Sequence, residues 1–82
     1  MVLVDIYVPS VDQIYNFNLS EDIGISAIIN EIIGMISQKE QTSLDGDQDG
    51  LNLYSVRDKR ILPRGNTLSD CNIKTGSYLM LV

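Results

Sequence analysis

Histidine is absent from this 82-residue chain, and cysteine occurs only once. The chain therefore lacks the commonest general base and the commonest metal ligand. The single cysteine, Cys71, excludes an intramolecular disulfide and is typical of a reducing compartment. No convincing nucleophile–base pair is left, and so short a chain has little room for a pocket. We therefore expect neither enzymatic activity nor a cofactor.

Long apolar runs are missing as well. No stretch approaches the roughly 18 consecutive apolar residues from which a membrane-spanning helix is recognised. The N-terminus has no basic segment of the kind that begins a signal peptide. These absences predict no direct membrane insertion and no signal peptide.

Basic residues are few, because 6 Lys and Arg face 11 Asp and Glu, for a net charge of −5. This balance disfavours binding to nucleic acid, which requires a basic footprint, and to an anionic membrane surface. Residues 1–50 contain nine acids and one base, Lys39, whereas four of the six bases lie within 57–64. That basic group is either a solvated turn or a site that steers an acidic partner.

Two stretches near the N-terminus alternate in polarity. In residues 2–8 the even-numbered positions are all β-branched, and in residues 13–19 Tyr15, Phe17 and Leu19 share one parity. Strict alternation predicts half-buried strands. A turn signal at residues 9–10 joins them, so the sequence predicts a β-hairpin.

The period changes after residue 20. Residues 20–22, Ser-Glu-Asp, offer a helix cap and acids for a first turn. Apolar residues then recur at helical spacing and predict a helix over about 23–38. Their stripe covers about 160° of the helical wheel, more than the roughly 100° that a core-facing helix needs. Ile33 and Met35 lie at its margins, either as core edge or with one margin exposed to a partner.

Short strands are predicted at about 51–56 and 60–62, a short helical turn at 67–70, and a last strand at 78–82. One long helix cannot bury its apolar stripe alone, and the strands supply a matching face. The sequence therefore predicts a single α+β domain over 1–82. Its expected architecture is a mixed four- or five-stranded sheet curled over one main helix.

The last quarter of the chain carries a specific resemblance. Residues 67–73, Thr-Leu-Ser-Asp-Cys-Asn-Ile, match the Thr-Leu-Ser-Asp-Tyr-Asn-Ile run of ubiquitin except at Cys71. A Ser-x-Leu-x-Leu-Val ending at 77–82 is also like ubiquitin. The resemblance covers the whole chain in pattern and is specific in identity from Leu62 onward. It implies a ubiquitin-like β-grasp roll.

One group within this superfamily is more similar. The YukD/EsaB ubiquitin-like proteins of bacterial type VII secretion share a Leu-Ser-Asp-Cys-x-Ile-x-x-Gly segment, which here spans Leu68 to Gly76. Cys71, the departure from ubiquitin, agrees with this group. The resemblance implies a cytoplasmic, non-conjugating protein-interaction module that assists the export of WXG-motif proteins.

Conjugating ubiquitin-like proteins and sulfur carriers act through a flexible Gly-Gly tail. Glycines let such a tail enter a narrow active site because no side chain blocks the approach. This sequence stops at Val82, inside its predicted last strand. We therefore expect protein binding rather than conjugation, and the alternative is a modifier or sulfur carrier matured from a longer precursor.

An acidic loop resembles the first half of an EF-hand. Asp45, Asp47 and Asp49 alternate before Gly50, as in the D-x-D-x-D-G pattern whose carboxylates suit Ca²⁺. The bidentate Glu expected at the twelfth position is Val56 instead, within a predicted strand. A solvated acidic loop is the favoured interpretation, with weak Ca²⁺ binding as the alternative.

Cys71 lies between Asp70 and Asn72, without a neighbouring cation that would favour a thiolate. A small buried apolar residue is therefore predicted rather than a reactive thiol.

Strand parity predicts a solvent-facing set on the sheet. If Leu79 and Leu81 face the helix, their neighbours point outward and form a patch suited to protein binding. The predicted protein-binding residues are Leu3, Tyr7, Tyr54, Val56, Arg57, Arg60, Tyr78, Met80 and Val82. The alternative is scattered surface apolar residues that need no explanation, and a one-residue slip at 51–57 would exchange the two faces.

Overall fold

The computed structural model of the chain describes residues 1–40 and 50–82. Within these ranges no helix is long and apolar enough to cross a membrane. The described residues form five strands and one helix, in the order β1 (Val2–Val8), β2 (Gln13–Leu19), α1 (Ile25–Glu40), β3 (Leu53–Ser55), β4 (Arg60–Ile61) and β5 (Tyr78–Leu81).

The five strands make one mixed sheet in the spatial order β2-β1-β5-β3-β4. β1 and β5, the first and last strands in the chain, run parallel at its centre, and every other pair is antiparallel. The helix supplies the crossover connection that a parallel pair requires. The predicted α+β architecture is therefore confirmed, with five strands rather than four.

The core lies between the helix and one face of the sheet. Alternate residues of β1 and β5 are buried there, as the parity of the sequence predicts, and helical positions spaced three or four apart meet them. Each fully buried aliphatic side chain contributes about 1.5–3 kcal/mol relative to its exposed state. The fully buried set includes Val4, Ile6, Val8, Ile25, Ile28, Ile29, Ile32, Ile36, Leu53, Leu62, Leu68 and Leu79.

The start of the helix differs from the prediction. α1 begins at Ile25, and the Ser20 hydroxyl instead accepts a hydrogen bond from the Asp22 backbone N–H, 3.4 Å away. The first helical N–H groups are satisfied from a distant loop: Ile25 N–H donates to the Asn66 carbonyl (2.8 Å) and Ser26 N–H to that of Arg64 (3.2 Å). Since these carbonyls already satisfy two of the orphan donors of a helix end, no side-chain cap is needed there.

The two margins of the apolar stripe on α1 differ in solvent exposure. Ile33 is buried, whereas Met35 is 38% exposed. The stripe is therefore core at one margin and open to solvent at the other.

Thr67 forms an isolated bridge with Gly24, and residues 68–72 form consecutive turns, at the place where the sequence predicts a short helical turn. Two reciprocal bonds of 3.0 Å fix their start, from Thr67 N–H to the Asp70 carboxylate and from Asp70 N–H to the Thr67 hydroxyl. Backbone N–H groups of Cys71 and Asn72 then donate to carbonyls three residues earlier. Cys71 is buried in the core cluster, which confirms its predicted apolar role.

Candidate protein-binding face

The solvent side of the sheet carries a row of side chains that crosses all five strands. Tyr54 of β3 lies opposite Met80 of β5, and Met80 lies opposite Tyr7 of β1. The register extends the row to Ile14 on β2 and Ile61 on β4. Every member of this outer row (Ile14, Tyr7, Met80, Tyr54 and Ile61) is apolar or aromatic.

The outer row is most exposed at its ends. Ile14 and Ile61 are 58% and 52% exposed, and the three central residues are half-buried because side chains on adjacent strands cover one another. With strands about 4.8 Å apart, the row is about 19 Å long. It is a narrow apolar band rather than a set of separate contacts.

Other apolar residues widen the band on both sides. Val56 N–H donates to the Tyr78 carbonyl (3.3 Å), which places these two residues next to each other below the row. Val82 exchanges two backbone hydrogen bonds with Asn52 on the other side. Leu3 lies further along β1. Val56, Tyr78, Val82 and Leu3 are all exposed large apolar residues, so the predicted apolar set lies on one face.

Polar contacts border the apolar band near β1 and β2. The Tyr7 hydroxyl donates to Asp12 Oδ1 at 2.9 Å, and this hydrogen bond raises the pKa of Tyr7 above its usual value. In the next row, Asn16 Nδ2 donates to Asp5 Oδ1 at 2.6 Å. The Tyr7 ring is thereby held in place, and the Asp5–Asn16 pair separates Leu3 from the outer row.

A basic cleft lies at the β3–β5 end of the face. It has a volume of about 500 Å³, and its lining includes Arg57, Lys74, Val56 and Tyr78. Arg57 Nε is 3.3 Å from Asp58 Oδ1, and this bond is the main cause that lowers the pKa of Asp58. The apolar band therefore ends beside two cations.

The two predicted arginines differ in position. Arg57 borders the band through the basic cleft. Arg60 is exposed at the sheet edge but lies opposite Ser55, which is buried on the helix side. Arg60 therefore has the helix-side parity of the sheet and does not belong to the outer row that contains Ile61.

Two members of the outer row, Ile14 and Ile61, were not predicted. Ile14 lies on the parity of β2 opposite to Tyr15, and its alignment with Tyr7 depends on the hairpin register. Ile61 lies in a two-residue strand, which is too short for alternation to be recognised. The one signal that the sequence offers for Ile14 and Ile61 is that both are large aliphatic residues.

The proposed calcium ligands Asp45, Asp47 and Asp49 lie outside the described residues. In the part of the chain that the structure does describe, no cluster of three or more His, Cys, Asp or Glu could hold a metal ion.

No protein-family model matches this sequence, and no curated protein matches it significantly. Solved structures do. The solution structure of the N-terminal ubiquitin-like domain in the 4931431F19Rik protein has a TM-score of 0.71 at 22% identity, covering 99% of this chain and 72% of that one. The ubiquitin of Caldiarchaeum subterraneum has a TM-score of 0.73 at 14% identity, covering 98% and 89%. These neighbours confirm the ubiquitin-like β-grasp fold.

Proposed function

We propose that this chain is a non-enzymatic, non-conjugating protein-interaction module that binds its partner through the outer row. The observation that carries the proposal is the row itself, apolar or aromatic across five strands. The solvent face of a sheet ordinarily presents polar side chains. A continuous apolar band exposed there gains free energy when a partner removes it from water.

The composition of the band supports this proposal. Tyr54 and Met80 lie at its centre, and tyrosine and methionine are among the residue types enriched in protein interfaces. Central aromatic residues surrounded by other contacts are the usual positions of binding hot spots. We therefore assign these two residues the largest share of the binding free energy.

The basic cleft defines the partner more closely. Arg57 and Lys74 lie at one end of the band, in a chain whose net charge is −5. A partner with an acidic group beside its apolar surface would match this arrangement. Such charges mainly increase the association rate, so association should slow as ionic strength rises.

We further propose that the module is a cytoplasmic accessory of a bacterial type VII secretion system and assists the export of WXG-motif proteins. The segment from Leu68 to Gly76 supports this finer assignment. The buried place of Cys71 within that segment is consistent with a recurring structural cysteine.

Affinity capture from the native lysate tests both levels of the proposal. The tagged wild-type chain should recover components of the secretion machinery, and Tyr54→Glu should not, while Asn30→Ala on the exposed helix surface should behave as wild type. Recovery of unrelated metabolic proteins alone, together with intact export of WXG-motif proteins in a deletion strain, would contradict the secretion assignment.

The alternative function is a modifier or sulfur carrier matured from a longer precursor. The fold alone supports it, since Caldiarchaeum ubiquitin shares that fold. Mass spectrometry of the native protein separates the two functions. Higher-mass protein adducts or a C-terminal thiocarboxylate would favour the alternative, and an unmodified chain that captures its partner through the outer row favours the interaction module.

A further inference from the structure

The basic cleft contains four side chains that can donate hydrogen bonds to an anion. Arg57 and Lys74 carry positive charges, and Thr75 and Ser77 add hydroxyl groups. Asp58 is bonded to Arg57, so two cations accompany one carboxylate here, in a chain whose net charge is −5. The cleft is therefore a local exception to the acidic character of the chain.

The two hydroxyl groups of the basic cleft are fixed by the backbone. Leu3 N–H donates to Thr75 Oγ1 at 3.2 Å, and Lys74 N–H donates to Ser77 Oγ at 3.1 Å. Ser77 N–H donates to the Lys74 carbonyl at 3.0 Å, which closes a tight turn between these two residues. A hydroxyl group that accepts a hydrogen bond still has its own proton to donate. Both hydroxyls are thus held in position with a proton that can donate to a ligand.

The Arg57 guanidinium is anchored along one of its edges. Its Nε lies 3.3 Å from Asp58 Oδ1, and its Nη2 donates to the Asn72 carbonyl at 3.5 Å. A carboxylate is frequently recognised by two parallel bonds from one arginine edge, and the chain itself occupies the Nε–Nη2 edge. Recognition of an anion in this cleft would therefore use donors from several side chains rather than one arginine fork.

A phosphate group matches such a set of donors better than a carboxylate does. It has three acceptor oxygens and a charge of about −1.5 to −2 at pH 7, whereas a carboxylate has two oxygens and a single charge. Two cations and two hydroxyl groups can satisfy three oxygens at once, and hydrogen bonds to charged groups are the stronger ones. The chemistry of the cleft thus favours a phosphomonoester over an aspartate or glutamate side chain.

The basic cleft is continuous with the apolar band. Val56 and Tyr78 line the cleft and are also exposed apolar residues beside the outer row. A ligand that covers both regions would carry apolar surface next to its phosphate group. The acidic balance of the chain disfavours nucleic acid and an anionic membrane as the source of that phosphate. A phosphorylated protein combines the two features.

We propose that the basic cleft binds a phosphorylated serine or threonine side chain of the protein partner. This inference rests on the function proposed for the outer row, because it names the acidic group that the same partner would place beside its apolar surface. Arg57 and Lys74 would supply charge-assisted hydrogen bonds to the phosphate. Phosphorylation of the partner would then strengthen its binding to this chain.

Three end-capped synthetic heptapeptides test the proposal. They share the sequence Gly-Gly-X-Gly-Leu-Leu-Gly, where X is phosphoserine, glutamate or serine. Titration of the phosphoserine peptide into the ¹⁵N-labelled chain should shift the amide resonances of Arg57 and of residues 74–78 and leave those of Gln13–Leu19 unshifted. It should bind about two- to fivefold more tightly than the glutamate peptide, the range expected of one further exposed charge pair. The serine peptide should leave the cleft unshifted.

The pH dependence of peptide binding separates a phosphate from a carboxylate. The second pKa of a phosphoserine is about 6, so its affinity should fall by about two- to fourfold between pH 7.0 and pH 5.5 as the dianion becomes protonated. The affinity of the glutamate peptide should stay constant, because its carboxylate remains ionised over this range. The chain has no histidine, the side chain that ordinarily titrates there, so the change reports the ligand.

Four variants test the assigned side chains. Arg57→Gln and Lys74→Gln should each weaken binding of the phosphoserine peptide about two- to fivefold. Lys39→Gln is the matched control, since it removes a cation that lies over the Tyr15 ring and should keep the wild-type affinity. Asp58→Asn should strengthen binding, because it removes the carboxylate that competes for Arg57. A merely structural role of this pair would not give a tighter complex.

Five results would each overturn the proposal. They are no shift in the cleft at millimolar phosphoserine peptide, an equal affinity for the glutamate peptide, wild-type affinity in both cleft variants, an equal affinity for inorganic phosphate, and co-sedimentation with phosphatidic acid vesicles that Arg57→Gln abolishes. The fourth result would identify free phosphate as the ligand, and the fifth would identify a lipid headgroup.

Phosphatase treatment of the native lysate separates this proposal from the function on which it rests. Wild type should recover its partner at least about twofold less well from the treated lysate than from the untreated one. Unchanged recovery, with Tyr54→Glu still unable to capture the partner, would overturn the phosphate site alone. Capture by Tyr54→Glu at the wild-type level would instead contradict the outer row as the interface.

Discussion

Tyr54 and Met80 lie directly opposite each other on β3 and β5, at the centre of the outer row. The residues that precede them in sequence, Leu53 and Leu79, are fully buried on the other face. One parity of these two strands therefore contributes to the core, and the other contributes to the apolar outer row. Substitutions in the two sets should separate folding from binding.

The free energy of unfolding should depend mainly on the side chains of β3 and β5 that face the helix. Leu79→Ala removes a fully buried side chain from a packed core and should lower the free energy of unfolding by about 2–5 kcal/mol. Met80→Ala, on the half-buried outer side, should lower it by about 1 kcal/mol or less. Urea unfolding of both variants measures the difference. Equal losses would show that the assigned faces of β5 are wrong.

Partner binding should depend on the side chains of β3 and β5 in the outer row. Tyr54→Ala and Met80→Ala should each weaken binding of the captured partner at least tenfold, because hot-spot truncations cost more than about 1.4 kcal/mol. Calorimetric titration gives the dissociation constants, and circular dichroism shows that the variants remain folded. Asn30→Ala is the matched control on the exposed helix surface. A wild-type affinity in both β-strand variants would remove the outer row as the interface.

Asp58 should titrate below its ordinary pKa of 3.8. The Arg57 guanidinium stabilises the ionised carboxylate of Asp58, and the Ser55 hydroxyl donates a hydrogen bond to the same carboxylate at 3.1 Å. Because the folded-state pKa is lowered, the stabilisation is present above the unfolded-state pKa and is lost as pH falls through the folded value. Carboxyl ¹³C titration should show Arg57→Gln raising this pKa toward 3.8. A wild-type pKa at or above 3.8 would contradict the assigned contacts.

The same linkage predicts a difference between two pH values. Asp58→Asn should reduce the free energy of unfolding at pH 7, and the loss should shrink at acid pH as the wild-type carboxylate becomes protonated. Urea unfolding at the two pH values measures the change. An equal loss at both would assign the effect of the substitution to packing or hydrogen bonding rather than charge.

Core and surface could be predicted because alternation and helical spacing both record which side of an element is buried. Leu79 and Leu81 face the helix, as their parity predicts, and Cys71 is buried, as the absence of a neighbouring cation suggests. Such signals are local, since each strand or helix carries its own pattern. They therefore remain readable even when the partners of the element are unknown.

The two ends of the outer row could not be predicted because their alignment with its central residues is a property of register. Ile14 reaches it through the β1–β2 pairing, and Ile61 through the β3–β4 pairing. Turn geometry fixes both alignments. The start of α1 escaped prediction for a similar reason, since carbonyls of Arg64 and Asn66 satisfy its first N–H groups from a loop far along the chain.

Cys71 should resist modification in the folded protein. It is 2% exposed and packed in the core cluster, so a thiol reagent can reach its Sγ only after the chain opens. Labelling by an aromatic disulfide should be slow in buffer and fast in denaturant, with the unfolded chain as the reference rate. Rapid stoichiometric labelling, with the circular dichroism spectrum still native, would contradict this burial.

Two glycines should respond in opposite directions to alanine. Gly34 lies within α1, where an added Cβ would meet no atom within 4 Å, so Gly34→Ala should stabilise the fold by about 0.5–1 kcal/mol through helix propensity. Gly76 has similar space, but its φ of +95° lies in the left-handed region. Its N–H also donates to the Leu3 carbonyl at 2.8 Å, which fixes the turn before β5. Gly76→Ala should therefore destabilise by about 1–2 kcal/mol.

Urea unfolding of the two glycine variants, with wild type as the reference, gives both signs in one experiment. The comparison is controlled because neither added methyl group meets a neighbour, so the difference reports backbone conformation alone. A stabilising Gly76→Ala would show that the turn relaxes out of the left-handed region without loss. The left-handed conformation of Gly76 would then not be required for its hydrogen bond to the Leu3 carbonyl.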